Sequence, residues 1–339
     1  MNGFIIVIIV VFFVLQIVAF TASNNNHLRV RKRQIFRMMK ETKNDKNSWR
    51  FELDVEHSTV LTSTGTLQYP PMNTVPCSFI SSSSSSSKGR VVELKEVIQP
   101  PSVDDLYDWY VKYNYPDADP SWAVVWPTAV SLMEYILDIE LDLSKKHVLE
   151  LGCGLGLVGL LCAGCGAEKV TLTDREPHAL HCAMSTASVN QYTNVQATLL
   201  DWTNVASYTN LLHSVNIIVA SDVFYDGDTI SQFATVCTQL LKHQNETEEE
   251  EDDDCIILIS DPLEERFQGA RTIFLQTMQQ KYPNFHMECI YPTKNHNETI
   301  IMEESLATSD AKDHFRRMQE PTVILKCTFP SSSSSEQKI

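Results

Sequence analysis

Val148-Leu-Glu-Leu-Gly-Cys-Gly-Leu-Gly-Leu-Val-Gly159, followed by Val170-Thr-Leu-Thr-Asp174, decides the fold of this chain. An apolar run carries one acidic residue, Glu150, and opens into glycines at 152, 154, 156 and 159. A helix-compatible segment follows, and a second apolar run ends on Asp174. That order predicts a strand, a tight glycine turn, a helix and a second strand. Such a unit offers backbone N–H groups and a carboxylate to a nucleoside-bearing cofactor. The spacing Gly154-x-Gly156-x-x-Gly159 also satisfies the dinucleotide fingerprint, so the glycines alone leave NAD and S-adenosylmethionine open. Glu150 favours S-adenosylmethionine. A carboxylate in the loop approach can meet the cationic amino group of a methionine moiety and would repel a pyrophosphate. A methyltransferase-type nucleotide fold is expected.

Working outward, the hydrophobic period alternates between helix and strand. Residues 128–141 place Val130, Leu132, Met133, Ile136, Leu137 and Leu141 on one face, with Pro127 in the first turn of that helix. Strands are predicted at 147–151, 169–173, 195–200, 215–220 and 255–260. Helices are predicted at 156–165, 176–190, 229–241 and 264–281, and a final strand pair at 286–291 and 322–329. Strands alternating with helices make an α/β fold with a mostly parallel sheet covered on both faces. The last two strands lack a long helix between them, which predicts an antiparallel edge.

Three further elements carry a family resemblance. Trp126-Pro127 precedes the first strand, Asp201-Trp202 follows the third, and Asp222-Val-Phe-Tyr225 closes the fourth. With Glu150–Gly156 and Asp174 they resemble the seven-β-strand family-16 methyltransferases. Those are mostly protein-lysine methyltransferases, with some members acting on protein arginine or other residues. The resemblance covers about residues 120–330, and its most specific part is Asp222-x-x-Tyr225 combined with Trp-Pro. The segment Ile257–Pro262 is similar to members that modify an electron-transfer flavoprotein subunit or histone arginine. The resemblance implies a Rossmann-like, seven-stranded class I methyltransferase fold, S-adenosylmethionine as cofactor and a protein substrate. The first hundred residues match nothing in the family.

Candidate site residues fall at the carboxyl ends of strands, where ligands sit in parallel α/β sheets. Gly152, Gly154 and Gly156 let the backbone approach a ligand, or merely form a tight turn. Asp174 is expected to accept both ribose hydroxyls, the alternative being a helix N-cap. Asp201 would receive the adenine amino group while Trp202 packs on the ring face. Trp126 either lines the cofactor pocket or anchors the helix after it. On the substrate side Asp222 is expected to orient an amine, and Tyr225, with Phe224 near it, to wall its channel. A strand-end aspartate with core aromatics is the plain alternative. Methyl transfer from a sulfonium needs alignment and a neutral nucleophile more than strong acid–base help. A nearby carboxylate raises an amine's pKa and so favours binding over deprotonation, and an aromatic ring adds cation–π attraction. His178 and His181 lie on a helix away from the strand ends, as surface or packing residues.

The leading expectation is an S-adenosylmethionine-dependent protein-lysine N-methyltransferase. Its rivals are a small-molecule or protein-arginine methyltransferase on the same fold, and a catalytically silent binding module. No metal site is expected, because Cys162-Ala-Gly-Cys165 lacks a second cysteine pair. A net charge of −16 over 339 residues argues against nucleic acid as a partner, although part of it is concentrated in the acidic loop at 244–254. Nine scattered cysteines read as reduced core residues. A monomer is expected.

The apolar run Phe4–Phe20 and the basic stretch after it give residues 1–45 the look of a signal or anchor plus presequence. A bipartite plastid presequence is preferred; the alternative is a signal anchor, with 4–20 in contact with a membrane if uncleaved. Residues 46–100 form a variable segment with strand patterns at 49–55 and 91–98 and a serine run at 81–87. The methyltransferase domain is placed at 101–330 and a low-complexity tail at 331–339. Sequons at Asn245 and Asn297 are triplets that also arise by chance.

Overall fold

A computed structural model of the chain describes residues 52–54, 59–62, 65–68, 70–75, 78–80, 91–92, 94, 96–115, 118–241, 255–283, 285–292, 300–301 and 321–329. The apolar run at 4–20, the basic presequence, the serine run, the acidic loop, both sequons and the tail lie outside the described residues. Among the described residues no helix is long and apolar enough to cross a membrane. The chain divides into two units, Met1–Pro71 and Met72–Ile339. The first contains a three-stranded antiparallel sheet of Glu52–Asp54, Thr59–Thr62 and Gly65–Gln68.

The second unit is built on a seven-stranded sheet. Its strands are β1 (His147–Leu151), β2 (Lys169–Asp174), β3 (Val195–Leu199), β4 (Ile217–Ser221), β5 (Ile256–Pro262), β6 (His286–Ile290) and β7 (Thr322–Thr328). The spatial order is β3-β2-β1-β4-β5-β7-β6. The first five strands run parallel, and β7 pairs antiparallel with both β5 and β6. From β1 the chain winds outward to β3 and then returns to β4 on the other side of β1. The crevice between the carboxyl ends of β1 and β4 is thus the switch point where such sheets bind ligands.

Among the described residues this unit has six α-helices: α1 (Val103–Lys112), α2 (Pro127–Asp138), α3 (Leu157–Gly164), α4 (Pro177–Val189), α5 (Ile230–Leu240) and α6 (Ala270–Lys281). α2 packs against β4, β5 and β7, while α4 covers β2 and β3. α5 and α6 pack on one another over a buried cluster in which Phe224, Phe233 and Phe274 meet at ring-centroid distances of 5.4–6.0 Å. Every residue of β1 is buried, as a central strand covered on both faces requires. The described cysteines are free thiols, all buried except Cys289.

Two features depart from the sequence reading. Helix α1 is absent from the sequence reading, although Ser102-x-x-Asp105 has the spacing of a helix start: Asp105 N–H donates to the N-cap Ser102 Oγ at 3.0 Å, and that hydroxyl donates to the Asp105 carboxylate at 2.7 Å. Leu106, Trp109 and Tyr110 make its buried stripe at helical spacing. The compact unit also begins earlier than residue 101. The expected strand at 91–98 is two short strands, Val91–Val92 and Val97–Gln99, with Leu94 buried between them. Side chains of α4 and its C-cap capture this backbone. Ile98 N–H donates to Thr186 Oγ1 at 2.9 Å, and Asn190 Nδ2 donates to the Glu96 carbonyl at 2.6 Å. Val97 and Ile98 are therefore core residues. Ile98→Ala should destabilise the protein by about 2–4 kcal/mol, the range for truncating a buried aliphatic side chain. Thermal or urea unfolding of the full chain checks this, and an unchanged midpoint would put this strand outside the core.

Candidate active site

The turn after β1 is tight because its neighbours leave no alternative. Gly154 has φ +50°, and a Cβ there would lie 2.9 Å from the Trp122 carbonyl oxygen. Gly156, the N-cap of α3, has φ +73°, and its Cβ would lie 2.8 Å from Ala183 Cβ on α4. Any larger residue at either position meets both strain and a clash. Trp122 is itself held from outside: its Nε1–H donates to Tyr110 Oη at 2.9 Å, and Tyr110 lies 3.4 Å from His178 Nδ1. Helix α1 thus braces the wall that the glycine turn abuts. His178 and His181 are buried packing residues, and burial pushes His181 down to about 3, so its ring is neutral.

Two carboxyl groups anchor this turn. Asp174, at the end of β2, accepts Gly154 N–H through Oδ2 and Glu176 N–H through Oδ1, both at 2.9 Å. Burial raises its pKa, and the two N–H bonds oppose that rise. Each oxygen keeps a lone pair for a further donor. Glu150 also lines the cavity, and its buried side chain accepts Gly159 N–H through Oε2 at 2.8 Å, holding the start of α3. Burial pushes its carboxyl up to about 8, with the Asp174 charge adding to the rise and the Gly159 bond opposing it.

The remaining candidates face the same space. A cavity of about 190 Å³ is lined by Gly152, Gly154, Gly156, Glu150, Asp174, Asp201 and Trp202, and also by Trp126, Asp222 and Tyr225. Every candidate site residue from the sequence except Phe224 reaches it. Asp201 Oδ1 accepts the N–H and the hydroxyl of Thr203 at 2.9 and 2.7 Å, which sets the turn after β3. Trp202 packs edge-on to Phe233 at 5.3 Å, so its ring is fixed from behind. Trp126 both lines the cavity and caps α2 from its N-terminal end, so the two readings of it are compatible. Tyr225 is exposed at the mouth, while Phe224 belongs to the core and does not wall the channel.

Sequence reasoning missed one residue at the heart of this corner. Asp222 follows β4 with φ +53°, and its carboxylate receives Arg266 Nε at 2.6 Å and Nη2 at 2.8 Å. The same guanidinium lies 5.1 Å from the centroid of the Trp126 ring. Nothing in the local pattern around Arg266 announces the contact, since 44 residues separate the partners. Asp119 and Arg175, paired at 3.6 Å on the rim, were likewise unmarked.

Residues 118–280 match the family model described as lysine methyltransferase. That stretch is similar to the lysine methyltransferase family. The chain is 40% identical to the histone-arginine methyltransferase METTL23 of Rattus norvegicus over 33% of this chain and 51% of that protein. It is 33% identical to the protein N-lysine methyltransferase METTL21A of Danio rerio, over 40% of this chain and 61% of that one. With the electron transfer flavoprotein beta subunit lysine methyltransferase of Homo sapiens it shares 25% identity, covering 48% and 56% respectively. The chain spans less than two thirds of the length of each of these three relatives.

The Glu150 environment makes a signed prediction. A carboxyl whose folded pKa is raised from 4.5 to about 8 binds its proton more tightly in the folded state. Its stability contribution is complete below the unfolded pKa and is lost as pH climbs through the folded one. Glu150→Gln keeps an acceptor for Gly159 and removes that titration. The variant should match the parent near pH 4.5 and exceed it at pH 8 in thermal midpoint. A gap of the opposite sign at pH 8 would show that Glu150 is charged in the folded protein.

Proposed function

We propose that this chain is an S-adenosylmethionine-dependent methyltransferase acting on a protein side-chain nitrogen, lysine first. The observation that carries the reading is that one cavity gathers residues of two chemistries. The glycine turn, Asp174, Asp201 and Trp202, which follow β1 to β3, line it together with Trp126 and with Asp222 and Tyr225, which follow β4. Bound there, S-adenosylmethionine supplies a methyl group on a cationic sulfur, open to in-line displacement by a nitrogen lone pair.

The residues fit that donor. Asp174 has acceptor capacity left for two ribose hydroxyls after its backbone bonds. Gly152 and Gly154 let the backbone close on the methionine part, and Asp201 and Trp202 offer an acceptor and a ring face to adenine. In the same cavity Asp222 attracts a cationic side chain, and Tyr225 and Trp126 present rings to it. Alignment then does most of the work, because the nitrogen needs only to shed its proton to water and meet the methyl carbon in line.

Arginine is the second reading. A planar guanidinium already fits the Asp222 fork, and the rat and human METTL23 proteins are named histone-arginine methyltransferases. Methyl-labelled S-adenosylmethionine, the full chain and an extract of the source cell decide between them when the labelled residue is read by mass spectrometry. Methyl-lysine is expected, and methyl-arginine would move the substrate class. Asp222→Asn should lower transfer about a hundredfold with donor affinity nearly intact, the scale for losing a positioning group. Donor binding without any labelled product would identify a silent module.

A further inference from the structure

The loop from Leu263 to Gly269, between β5 and α6, is fixed at its base and reaches the acceptor corner with its tip. At the base, Arg271 donates from Nε and Nη2 to the buried Asp261 at 3.0 and 2.7 Å, and Nη2 also donates to the Pro262 carbonyl. Glu265 accepts the N–H groups of Gly269 and Arg271 at 2.8 and 3.0 Å. Leu263 N–H donates to the Pro321 carbonyl at 2.6 Å. The tip is Arg266-Phe267. Arg266 forks onto Asp222 and covers Trp126, while the Phe267 ring lies so close over Gly227 that a Cβ there would overlap it.

We infer that Arg266 sits in the seat of the substrate's cationic side chain, and that the substrate enters by exchanging with it. This rests on the methyltransferase reading above. Asp222 and Trp126 both line the cavity, and the guanidinium bonds the one and lies over the ring of the other. The two partners are unequally enclosed: the Asp222 side chain is 4% exposed, the Arg266 side chain 32%. The acid belongs to the floor of the site and the cation comes from a loop at its surface. A carboxylate this enclosed is strongly disfavoured without a positive partner, so Arg266 leaves only when another cation takes its place. A lysine ammonium or an arginine guanidinium meets that condition, and the Trp126 face suits either. A neutral hydroxyl or amide does not. Arg266 is therefore a specificity-determining residue, which admits cationic side chains by requiring a like-for-like exchange.

The full chain is titrated by calorimetry, first with S-adenosylmethionine and then with N-acetyl-lysine amide, N-acetyl-arginine amide or the uncharged N-acetyl-norleucine amide. Arg266→Met removes the competing charge and keeps the apolar stem. The variant should bind the two cationic probes about tenfold tighter than the parent, as expected when an internal occupant filling a site about nine-tenths of the time is removed. The norleucine probe should gain nothing. Cationic probes that bind no tighter to Arg266→Met, or an equal gain for norleucine, overturn the inference. If Arg266→Met does not fold, Gly227→Ala decides, because it pushes Phe267 away without changing any charge. It should also tighten the cationic probes, and unchanged affinity overturns the inference. Failure of the parent to bind S-adenosylmethionine would instead sink the methyltransferase reading, so the two failures are distinguishable.

Discussion

The hydrogen bond from Gly154 N–H to the Asp174 carboxylate is the contact on which the site depends. It joins the turn after β1 to the end of β2, and it needs a residue at 154 that tolerates φ +50° beside the Trp122 carbonyl. The same carboxylate holds Glu176 N–H, one residue before α4 begins. One side chain thus fixes the glycine turn and the approach to a helix while facing the cavity. Glu150 repeats the arrangement one layer deeper, with Gly159 as its partner. Behind the turn, α1 supports Trp122 through Tyr110, so a helix remote in sequence sets how closely the wall approaches Gly154.

The carboxyl ends of β4 and β5 follow a different rule. Asp222 and Asp261 are both buried acids at the ends of adjacent strands, and each is met by an arginine, Arg266 from the β5–α6 connection and Arg271 from the first turn of α6. Burial pushes Asp261 up to about 6, against the pull of Arg271. An enclosed carboxylate without a partner is costly, so these pairs fix the loop as firmly as apolar packing would. They differ in role. Arg271 is the more enclosed and also bonds backbone carbonyls, which makes it a tether, whereas Arg266 is more exposed and bonds a residue of the cavity lining.

Much of this was legible in the sequence, for identifiable reasons. Glycine spacing and the acidic strand ends are local signals, so Gly152, Gly154, Gly156, Asp174, Asp201 and Asp222 could be picked out without a structure, and all of them reach the one cavity. The parallel sheet with its antiparallel edge followed from hydrophobic period alone. Helix α1 was legible but unread, because its N-cap at Ser102 sits immediately after two prolines that looked like a boundary. The role of Ile98 was hidden for another reason: its backbone is satisfied by side chains of α4 and not by a long ladder. Glu150 was placed correctly at the cavity, but its partner could not be seen, since the Gly159 N–H that takes it lies on the following helix. Arg266 lies beyond any such reading, because its pairing with Asp222 depends on how a surface loop folds back over β4.

The central claim is that the Gly154–Asp174 turn is a nucleoside site for S-adenosylmethionine. Calorimetric titration of the full chain and of Asp174→Ala, with S-adenosylmethionine and with NADH, tests it most directly. The parent should bind S-adenosylmethionine and not NADH. Asp174→Ala, still folded, should lose about 1.5–3 kcal/mol of that binding, the scale of hydrogen bonds to a charged group. NADH binding by the parent, or undiminished S-adenosylmethionine affinity in the folded variant, would contradict it.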